Sequence, residues 1–332
     1  MIISRTPLRI SFFGGGTDYP IFYDEHGGAV ISTSINKYSY IICRRLPPFF
    51  EYNYRIRYTL REETKTIAEI AHPSVRECLN FINLNYGIEV QHNADLPSMS
   101  GLGSSSAFTV GLLNCLHALK GELTTKRQLA MEAIHIEQDL IKENVGSQDQ
   151  TTAAFGGLNM IEFGGRRKIW VHPLTLEQSK IDYLEKHLML FFTGFPRNAS
   201  EIAGEQIRRT PEKIAELKSM KNMVDEAVKI LNGKTESFDD FGRLLHESWK
   251  LKRSLTERIT NSTIDELYDT AMNAGALGGK LLGAGGGGFM LIFAQPEIQA
   301  CIREKLGKIL YVPFQFHDLG SQIIYYAPEQ NY

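Results

Sequence analysis

Hydrophobic and polar positions alternate with a strand-like period over much of the first half of the chain. The N-terminus alternates through Ile2, Leu8 and Ile10, which predicts a β-strand. Two further β-rich segments, 29–35 and 38–44, are expected to form strands joined by a short polar turn. Further strands are predicted at 52–60, 88–93, 188–192, 289–293 and within 311–326.

A helical period replaces this alternation at about residue 104. Phe108, Leu112, Leu116 and Leu119 recur at the spacing of one helix face, and Gly121 follows where a C-terminal cap belongs. These positions predict a helix that begins just after a run of serines.

A second helix is predicted from Thr125, which forms a capping-box pattern with Gln128, to about residue 144. Residues 199–275 are mostly helical in pattern, and no internal repeat or low-complexity tract interrupts them. Strands early in the chain and helices later predict an α+β protein rather than a regular parallel βαβ series.

Composition narrows the class of protein. The 332 residues suit one large domain or two lobes, and 36 basic against 38 acidic residues leave a formal charge of -2 with no basic stripe. We therefore expect neither a nucleic-acid nor a membrane partner, because the apolar runs are also too short to cross a bilayer. The four cysteines are scattered without CxxC spacing, so we expect reduced, packed thiols, which favours a cytoplasmic protein.

The most informative segment is the serine loop, residues 101–106, which follows a predicted strand and enters the helix. Gly101 and Gly103 allow backbone N–H groups to approach an anion, and a helix start adds free donors and partial positive charge. The serines can cap the helix, bond a phosphate or ligate magnesium. A cap alone would need one glycine and one serine, so the loop favours phosphate binding.

A second glycine cluster, residues 278–288, contains a GxGxxG pattern at Gly283, Gly285 and Gly288. The dinucleotide fingerprint must follow a strand and open a helix, whereas here a helical stretch precedes and a strand follows. Leu281 stands where a Walker loop would need Ser or Thr after Lys280. The cluster still predicts close approach to its backbone, by a ligand or by a neighbouring chain segment.

Two further sets of residues could carry chemistry. Asp18 follows the triple glycine 14–16 and could accept bonds from sugar hydroxyls, with Arg9 as a cation for an anionic group. Glu137 and Asp149 could hold magnesium and orient or deprotonate an acceptor hydroxyl. Taken alone, these two carboxylates are more typical of solvated surface acids.

Together these motifs resemble the GHMP kinase superfamily, named for galactokinase, homoserine kinase, mevalonate kinase and phosphomevalonate kinase. The resemblance spans nearly the whole chain in the superfamily's order, through residues 5–19, 97–106 and 280–289. The segment 97–106 is similar to the pattern Pro-x-x-x-Gly-Leu-Gly-Ser-Ser-Ala and is the most specific. The resemblance implies a lobe like domain 2 of ribosomal protein S5 at 1–185, a ferredoxin-like lobe at 186–332, and a site between them.

The resemblance also implies ATP as phosphate donor and Mg²⁺ as its partner. The phosphate-binding segment would comprise Pro97, Gly101, Leu102, Gly103, Ser104, Ser105 and Ser106. Ser105 and Glu137 would ligate the metal. Asp149 would be the base or orienting group, and Arg9 beside it would stabilise charge on the attacking oxygen.

The acceptor end is implied in the same way. Asp18, with Thr17 and Gly16, would bind sugar hydroxyls. The substrate end of the cleft would be lined by Gly285, Gly286 and Gly287.

One departure bears on the sugar. Galactokinases carry Gly-Glu-His-Thr-Asp-Tyr where this chain has Gly-Gly-Gly-Thr-Asp-Tyr at 14–19, so two side chains are missing from the sugar pocket. The form at 12–20 resembles sugar kinases that act on heptose 7-phosphate and, more distantly, on fucose. It implies phosphorylation of the anomeric hydroxyl to a 1,7-bisphosphate, on the route to GDP-activated heptose for surface polysaccharide.

A pre-phosphorylated sugar would need a second cationic pocket for its distal phosphate. Candidates for that pocket are Arg44, Arg45, Lys168, Arg197 and Lys250. The alternatives are a fucokinase-like or galactokinase-like enzyme for an unphosphorylated sugar, or a non-catalytic sugar or ATP sensor on the same fold. An RNA-binding module is disfavoured by the charge balance, and no oligomeric state is predicted.

Overall fold

Two β-sheets with helices packed on them organise the chain, as seen in a computed structural model that describes residues 1–98, 100–194, 199–233, 238–307 and 309–328. The strands are β1 (Ile2–Phe13), β2 (Gly28–Arg45), β3 (Tyr54–Arg57), β4 (Arg61–Thr64), β5 (Ile88–Ala94), β6 (Leu158–Gly164), β7 (Lys168–Pro173), β8 (Leu188–Gly194), β9 (Gly278–Leu281), β10 (Gly288–Phe293), β11 (Leu310–Tyr311) and β12 (Gln322–Tyr326). The α+β class predicted from the sequence is confirmed.

Helices lie between strands of both sheets and are most numerous between β8 and β9. They are α1 (Pro20–His26), α2 (Pro73–Ile82), α3 (Ser104–Lys120), α4 (Lys126–Ile134), α5 (Gln148–Phe155), α6 (Gln178–His187), α7 (Ala199–Arg209), α8 (Ile214–Asn232), α9 (Asp239–Arg253), α10 (Ser262–Asn273) and α11 (Pro296–Leu306). Short 3₁₀ turns lie at Ile67–Glu69 and Thr210–Glu212, and a π-helical turn lies at His135–Leu140. The mostly helical stretch predicted at 199–275 is confirmed.

The larger sheet has eight strands in the described part of the chain. Its main path runs β12-β1-β2-β5-β3-β4, and β6 pairs with β2 and then with β7. The long strand β2 bonds β6 along its first part and β5 along its second, and among the described pairs of this sheet only β3–β5 is parallel. The smaller sheet is antiparallel, in the order β11-β8-β10-β9.

The predicted polar turn within the second strand segment is wrong, because β2 is one continuous strand. Pro7 pairs with Tyr38 while Leu8 pairs with Ile35, so two extra residues of β2 are absorbed as a bulge. The bulged backbone is paired elsewhere, since Asn36 N donates to the carbonyl of Gln315 at 2.9 Å. The polar residues Asn36 and Lys37, which were predicted to form a turn, therefore form a β-bulge.

The helix predicted to run to about residue 144 ends earlier. Thr125 caps it as expected, its hydroxyl accepting from Gln128 N at 3.1 Å. After Ile134 the turns widen into the π-helical segment, and Lys142 takes a left-handed φ of 62° that stops the helix. This wider turn carries Glu137 into the interior.

A shared aromatic core joins the two sheets. Phe12 and Phe13 of β1 meet Phe241 of α9 in edge-to-face contacts with ring centroids 5.5 and 5.0 Å apart. Phe241 in turn lies 6.1 Å from Phe293 of β10. Because aromatic pairs of this kind add about 0.5–1.5 kcal/mol each beyond their buried area, the contacts fix one sheet against the other.

Helix α3 is largely buried on β1 and β2, which places its first turn at the junction of the two sheets. Gly111 allows this approach: a Cβ there would lie 2.7 Å from Thr6 Oγ1. Strand β12 returns to the first sheet beside β1, while the predicted lobe boundary near residue 185 stays a prediction. Among the described helices, none combines the length and apolar character needed to cross a membrane.

Candidate active site

A cleft lies where the start of α3, the turn after β1, the start of α5 and the loop between β9 and β10 meet. The predicted residues that line it are Arg9, Gly16, Asp18, Gly101, Gly103, Ser104, Ser105, Ser106, Asp149, Gly285 and Gly287. Residues separated by more than a hundred positions along the chain therefore converge, and most of the predicted site belongs to one cavity.

The serine loop is held between β1 and the second glycine cluster. The carbonyl of Leu102 accepts from Arg9 N at 3.0 Å, and a Cβ on Gly101 would lie 2.5 Å from the Leu282 carbonyl oxygen. Gly103, with φ 72°, is the N-cap of α3. The first-turn donors of this helix therefore face the cleft, as an anion site requires.

Two predicted members of the phosphate-binding segment do not line the cleft. Leu102 is fully buried and anchors the loop in the core. Pro97 is exposed, and its carbonyl accepts from Ser100 Oγ at 2.8 Å, which shapes the entrance to the loop. Their roles follow from loop geometry rather than from contact with a ligand.

Arg9 and Asp149 form a two-point ion pair at the centre of the cleft. Arg9 Nε donates to Asp149 Oδ1 and Arg9 Nη2 donates to Oδ2, both at 2.7 Å. Arg9 Nη1 donates to the carbonyl of Gly101 at 2.6 Å, so the pair is tied to the serine loop. Arg9 is buried while the Asp149 side chain is 27% exposed, which leaves the carboxylate open to a substrate.

Glu137 lies behind the serine loop, fully buried. Its Oε2 accepts from Ser106 Oγ at 2.8 Å and from the amide of Gln150, while its Oε1 has no hydrogen-bond partner among the described residues. Burial raises the pKa of Glu137 to about 7, although the bonds from Ser106 and Gln150 oppose the shift. An orphaned buried carboxylate oxygen is a group that a cation would satisfy.

Magnesium fits this donor set in part. Mg²⁺ binds proteins through one or two oxygen ligands and takes the rest from phosphates and water, so a site of few side chains suffices. The described residues contain no cluster of three or more His, Cys, Asp or Glu side chains that could hold a metal alone. Ser106, not the exposed Ser105, is the serine whose hydroxyl contacts Glu137; the assignment of Ser105 as metal ligand stays a prediction.

Asp18 is held by backbone donors at the opposite side of the cleft. Gly16 N donates to Oδ1 at 2.9 Å and Gln148 N donates to Oδ2 at 3.4 Å. Burial, and secondarily the charge of Asp149, raises the pKa of Asp18. Thr17 does not line the cleft, because it is buried and its hydroxyl donates to the Gly14 carbonyl at 2.8 Å.

The glycine hairpin, residues 282–287 between β9 and β10, closes the cleft from the second sheet. Strand β9, not the expected helical stretch, directly precedes the glycines, and that part of the prediction is wrong. The segment is nevertheless a hairpin that opens no helix, so it does not meet the dinucleotide fingerprint. A Cβ on Gly283 would lie 2.5 Å from Gly101 Cα, which shows close approach by a neighbouring chain segment. Gly286 lies outside the cleft lining, and its N–H donates to the carbonyl of Ile259 at 2.9 Å.

Two buried lysines in the cleft were not predicted. Lys252 of α9 donates to the carbonyls of Leu281, at 3.3 Å, and Gly283, while Lys280 donates to the carbonyl of Phe12 at 2.8 Å. Burial lowers the pKa of both, to about 8 for Lys252. The signal for Lys252 was the helical spacing from Phe241 through Leu245 and Ser248, which puts it on the buried face of α9.

The proposed distal-phosphate cations lie elsewhere in the described structure. Arg44 pairs with Glu89 at 2.6 Å, and Arg45 lies over the ring of Tyr86. Lys250 pairs with Glu247, and Lys168 borders a separate surface depression. Arg197 lies outside the described residues. Arg9, Lys252 and Lys280 are the described cationic side chains that line the cleft.

Comparison with known proteins shows which family the chain belongs to. Sequence models described as the GHMP kinases N terminal domain and the GHMP kinases C terminal domain match residues 66–157 and 223–310, together just over half of the chain. The D-glycero-alpha-D-manno-heptose 7-phosphate kinase of Campylobacter jejuni is 29% identical over 310 residues, which cover 89% of this chain and 90% of that protein.

Two further proteins show similarity across the chain. The bifunctional fucokinase/GDP-fucose pyrophosphorylase of Arabidopsis thaliana is 25% identical over 329 residues, covering 90% of this chain and 30% of that protein. A crystal structure of a D-glycero-D-manno-heptose 1-phosphate kinase from Bacteroides thetaiotaomicron superposes with a TM-score of 0.76 at 24% identity, covering 97% of this chain and 98% of that one. The two-sheet fold is therefore shared along nearly the full length.

Proposed function

The chain belongs to the GHMP kinase family as an ATP-dependent sugar kinase, and from this premise we propose that its acceptor is D-glycero-D-manno-heptose 7-phosphate, phosphorylated at the anomeric hydroxyl. The product would be the 1,7-bisphosphate, a precursor of GDP-activated heptose for surface polysaccharide, made in the cytoplasm. The observation that supports the proposal most is the Arg9–Asp149 pair, which lies in the same cleft as the first turn of α3.

The donor side of the reaction follows from the serine loop. The first-turn N–H groups of α3 and the serine hydroxyls supply donors to phosphate oxygens, and the glycines leave their backbone uncovered. Glu137, with Ser105 or Ser106, would hold Mg²⁺, which supplies charge neutralisation between donor phosphates when bound. The unpartnered oxygen of Glu137 supports that placement.

The acceptor side follows from Asp149. Its carboxylate can accept a hydrogen bond from the acceptor hydroxyl and thereby orient it, because the two bonds from Arg9 fix the direction of both oxygens. Arg9 also brings positive charge to where the attacking oxygen would lie. Lys252 forms no ion pair with a described carboxylate, so below its pKa of about 8 it gives the cleft positive charge suited to anionic substrates.

The choice of a heptose phosphate rests on the motif at 12–20 and on the Campylobacter jejuni relative. One observation favours an unphosphorylated sugar instead, as in a fucokinase-like enzyme. None of the four described candidates for a distal-phosphate pocket lines the cleft, and the Arabidopsis thaliana relative includes a fucokinase.

Product identification tests the proposal. Heptose 7-phosphate, ATP and magnesium incubated with the enzyme should yield ADP and a new ³¹P resonance coupled to the anomeric proton. The same reaction with Asp149→Asn serves as the control and should yield little product. A phosphate on another carbon, or ADP release without a sugar product, would contradict the proposed reaction.

A further inference from the structure

Gln206 of α7 is a buried residue whose amide faces the cleft. The residue is 5% exposed and lines the same cavity as Asp18 and Asp149. Its backbone carbonyl accepts from Thr210 Oγ1 at 3.0 Å, but its side-chain amide makes no hydrogen bond to another described residue. Although most of the side chain is buried, neither polar atom of the amide is a buried atom without a partner, so the amide is open to the cleft. An unpartnered amide that lines a substrate cleft therefore points to a ligand.

Gly16 makes room for this amide. Its φ is +104°, and a Cβ at this position would lie 2.5 Å from the side-chain nitrogen of Gln206 and 3.3 Å from Leu217 Cδ2. The galactokinase form of the motif has histidine here. The Gln206 amide of α7 therefore occupies space next to position 16, where this chain has no side chain.

The backbone N–H of Gly16 also holds the Asp18 carboxylate, a hydrogen-bond acceptor, beside the Gln206 amide. Gly16 N donates to Asp18 Oδ1 at 2.9 Å, so the Asp18 carboxylate and the Gln206 amide border one residue. A carboxylate accepts hydrogen bonds and an amide both donates and accepts. Neighbouring hydroxyls of a sugar offer the complementary set, since each hydroxyl donates one hydrogen and accepts others.

We propose that Gln206 is an acceptor-recognition residue, whose amide bonds ring hydroxyls of the sugar in concert with Asp18, in the space that Gly16 leaves open. The inference rests on the proposed function, because it assigns a sugar to this end of the cleft. It names a determinant that lies outside the glycine-rich motifs.

Steady-state kinetics of Gln206→Ala test the proposal. The KM for the acceptor sugar should rise about tenfold, the loss expected for a neutral hydrogen bond, while the KM for ATP stays within about twofold. Glu201→Ala is the matched control on the same helix, since Glu201 is exposed and pairs only loosely with Arg258 at 3.5 Å. Because Gln206 is buried, Gln206→Ala also removes packing, so it is compared with Gln206→Met, which keeps most of the side-chain volume without the amide. Both variants should raise the acceptor KM, and an unchanged acceptor KM in both would overturn the assignment.

A double-mutant cycle of Gly16→Ala and Gln206→Ala tests whether a side chain at position 16 would displace the Gln206 amide. Gly16→Ala should raise the acceptor KM in the wild-type background and should have a smaller effect when Gln206 is already alanine, because the displaced amide is then absent. Backbone strain at Gly16 occurs in both backgrounds and cancels in the comparison. Fully additive effects would show that position 16 and the amide do not compete, which contradicts the proposal.

The outcome separates this inference from the proposed function. A wild-type enzyme that phosphorylates heptose 7-phosphate, with Gln206→Ala unchanged in acceptor KM, would overturn the inference alone. Calorimetric binding of the sugar without any turnover, weakened about tenfold by Gln206→Ala, would overturn the proposed function alone. A wild type that neither binds nor phosphorylates any sugar would overturn both.

Discussion

At the scale of single residues, the cleft is organised by charges that are held in place before any substrate arrives. Arg9 donates hydrogen bonds to both carboxylate oxygens of Asp149 and a third to the Gly101 carbonyl. Preorganised groups of this kind act through orientation and charge, which is what phosphoryl transfer needs from a protein.

Asp149→Asn should lower kcat by about 100-fold or more, because the amide cannot accept the acceptor proton and no longer balances Arg9. ATP affinity, measured by calorimetry, should change little. Asp139→Asn is the matched control, since Asp139 also bonds an arginine, Arg167, at both oxygens but lies outside the cleft lining. Equal loss of kcat in both variants would contradict the role of Asp149.

Lys252 should give the enzyme a pH limit. Burial lowers its pKa to about 8, so the free enzyme loses this cation as the pH rises through that value. Above about pH 7, where Glu137 is ionised, the kcat/KM for ATP should therefore fall as the pH rises through about 8. In Lys252→Arg the fall should disappear, because arginine stays charged. A fall of the same position and size in Lys252→Arg would assign the limit to another group.

The residue scale also shows what the sequence could predict of the site. Arg9, Asp18 and Asp149 were predicted because each stands in or near a glycine-rich motif. Gln206 and Lys252 were not, because their helices carry no motif and their importance comes from burial against distant segments. Sequence spacing predicts which face of a helix is buried, but not that the buried face meets a cleft.

At the scale of elements, two loops from different sheets contact each other through glycine backbone. Gly101 of the serine loop and Gly283 of the glycine hairpin approach so closely that a Cβ on either would collide with the other loop. The glycine clusters that looked like ligand sites are thus also a packing requirement between elements.

Gly101→Ala should lower the free energy of unfolding by about 2 kcal/mol or more and weaken ATP binding, because both a left-handed φ of +83° and a backbone collision oppose the side chain. Gly121→Ala is the matched control: its φ is +72°, but nothing lies within 4 Å of the added Cβ. Gly121→Ala should lower the free energy of unfolding by about 1 kcal/mol, the cost of a left-handed backbone conformation, and leave ATP binding unchanged. Chemical denaturation and nucleotide titration measure both quantities, and equal effects of the two changes would contradict the account.

The ends of helices could be predicted where a capping residue next to the helix in sequence determines them. Gly121 caps α3 and Thr125 caps α4 as the sequence indicated. The bulge that makes β2 one strand depends on pairing with residue 315, and the π-helical turn depends on packing around Glu137. Such features come from contacts distant in sequence, so periodicity could not reveal them.

At the scale of the whole molecule, the two sheets share a core and should unfold together. Phe241 of α9 touches Phe12 and Phe13 of the first sheet and lies beside Phe293 of the second. The α+β class followed from the order of patterns along the chain. The return of β12 to the first sheet did not, because strand pairing over more than three hundred residues leaves no local signal.

Phe241→Ala should lower the free energy of unfolding by about 3–5 kcal/mol, since a fully buried aromatic ring leaves a cavity. Calorimetry should show a single transition that shifts as a whole. Phe81→Ala, at an exposed ring, is the control and should shift it little. Two separate transitions, with only one displaced, would show that the sheets are independent.

The central claim is that this cleft phosphorylates a pre-phosphorylated heptose, and acceptor specificity tests it most directly. ADP release should be measured with ATP and magnesium against a panel of sugars: heptose 7-phosphate, the same heptose without phosphate, fucose and galactose. The account predicts that kcat/KM for heptose 7-phosphate exceeds that of every unphosphorylated sugar. A higher kcat/KM for any unphosphorylated sugar, fucose in particular, would contradict it.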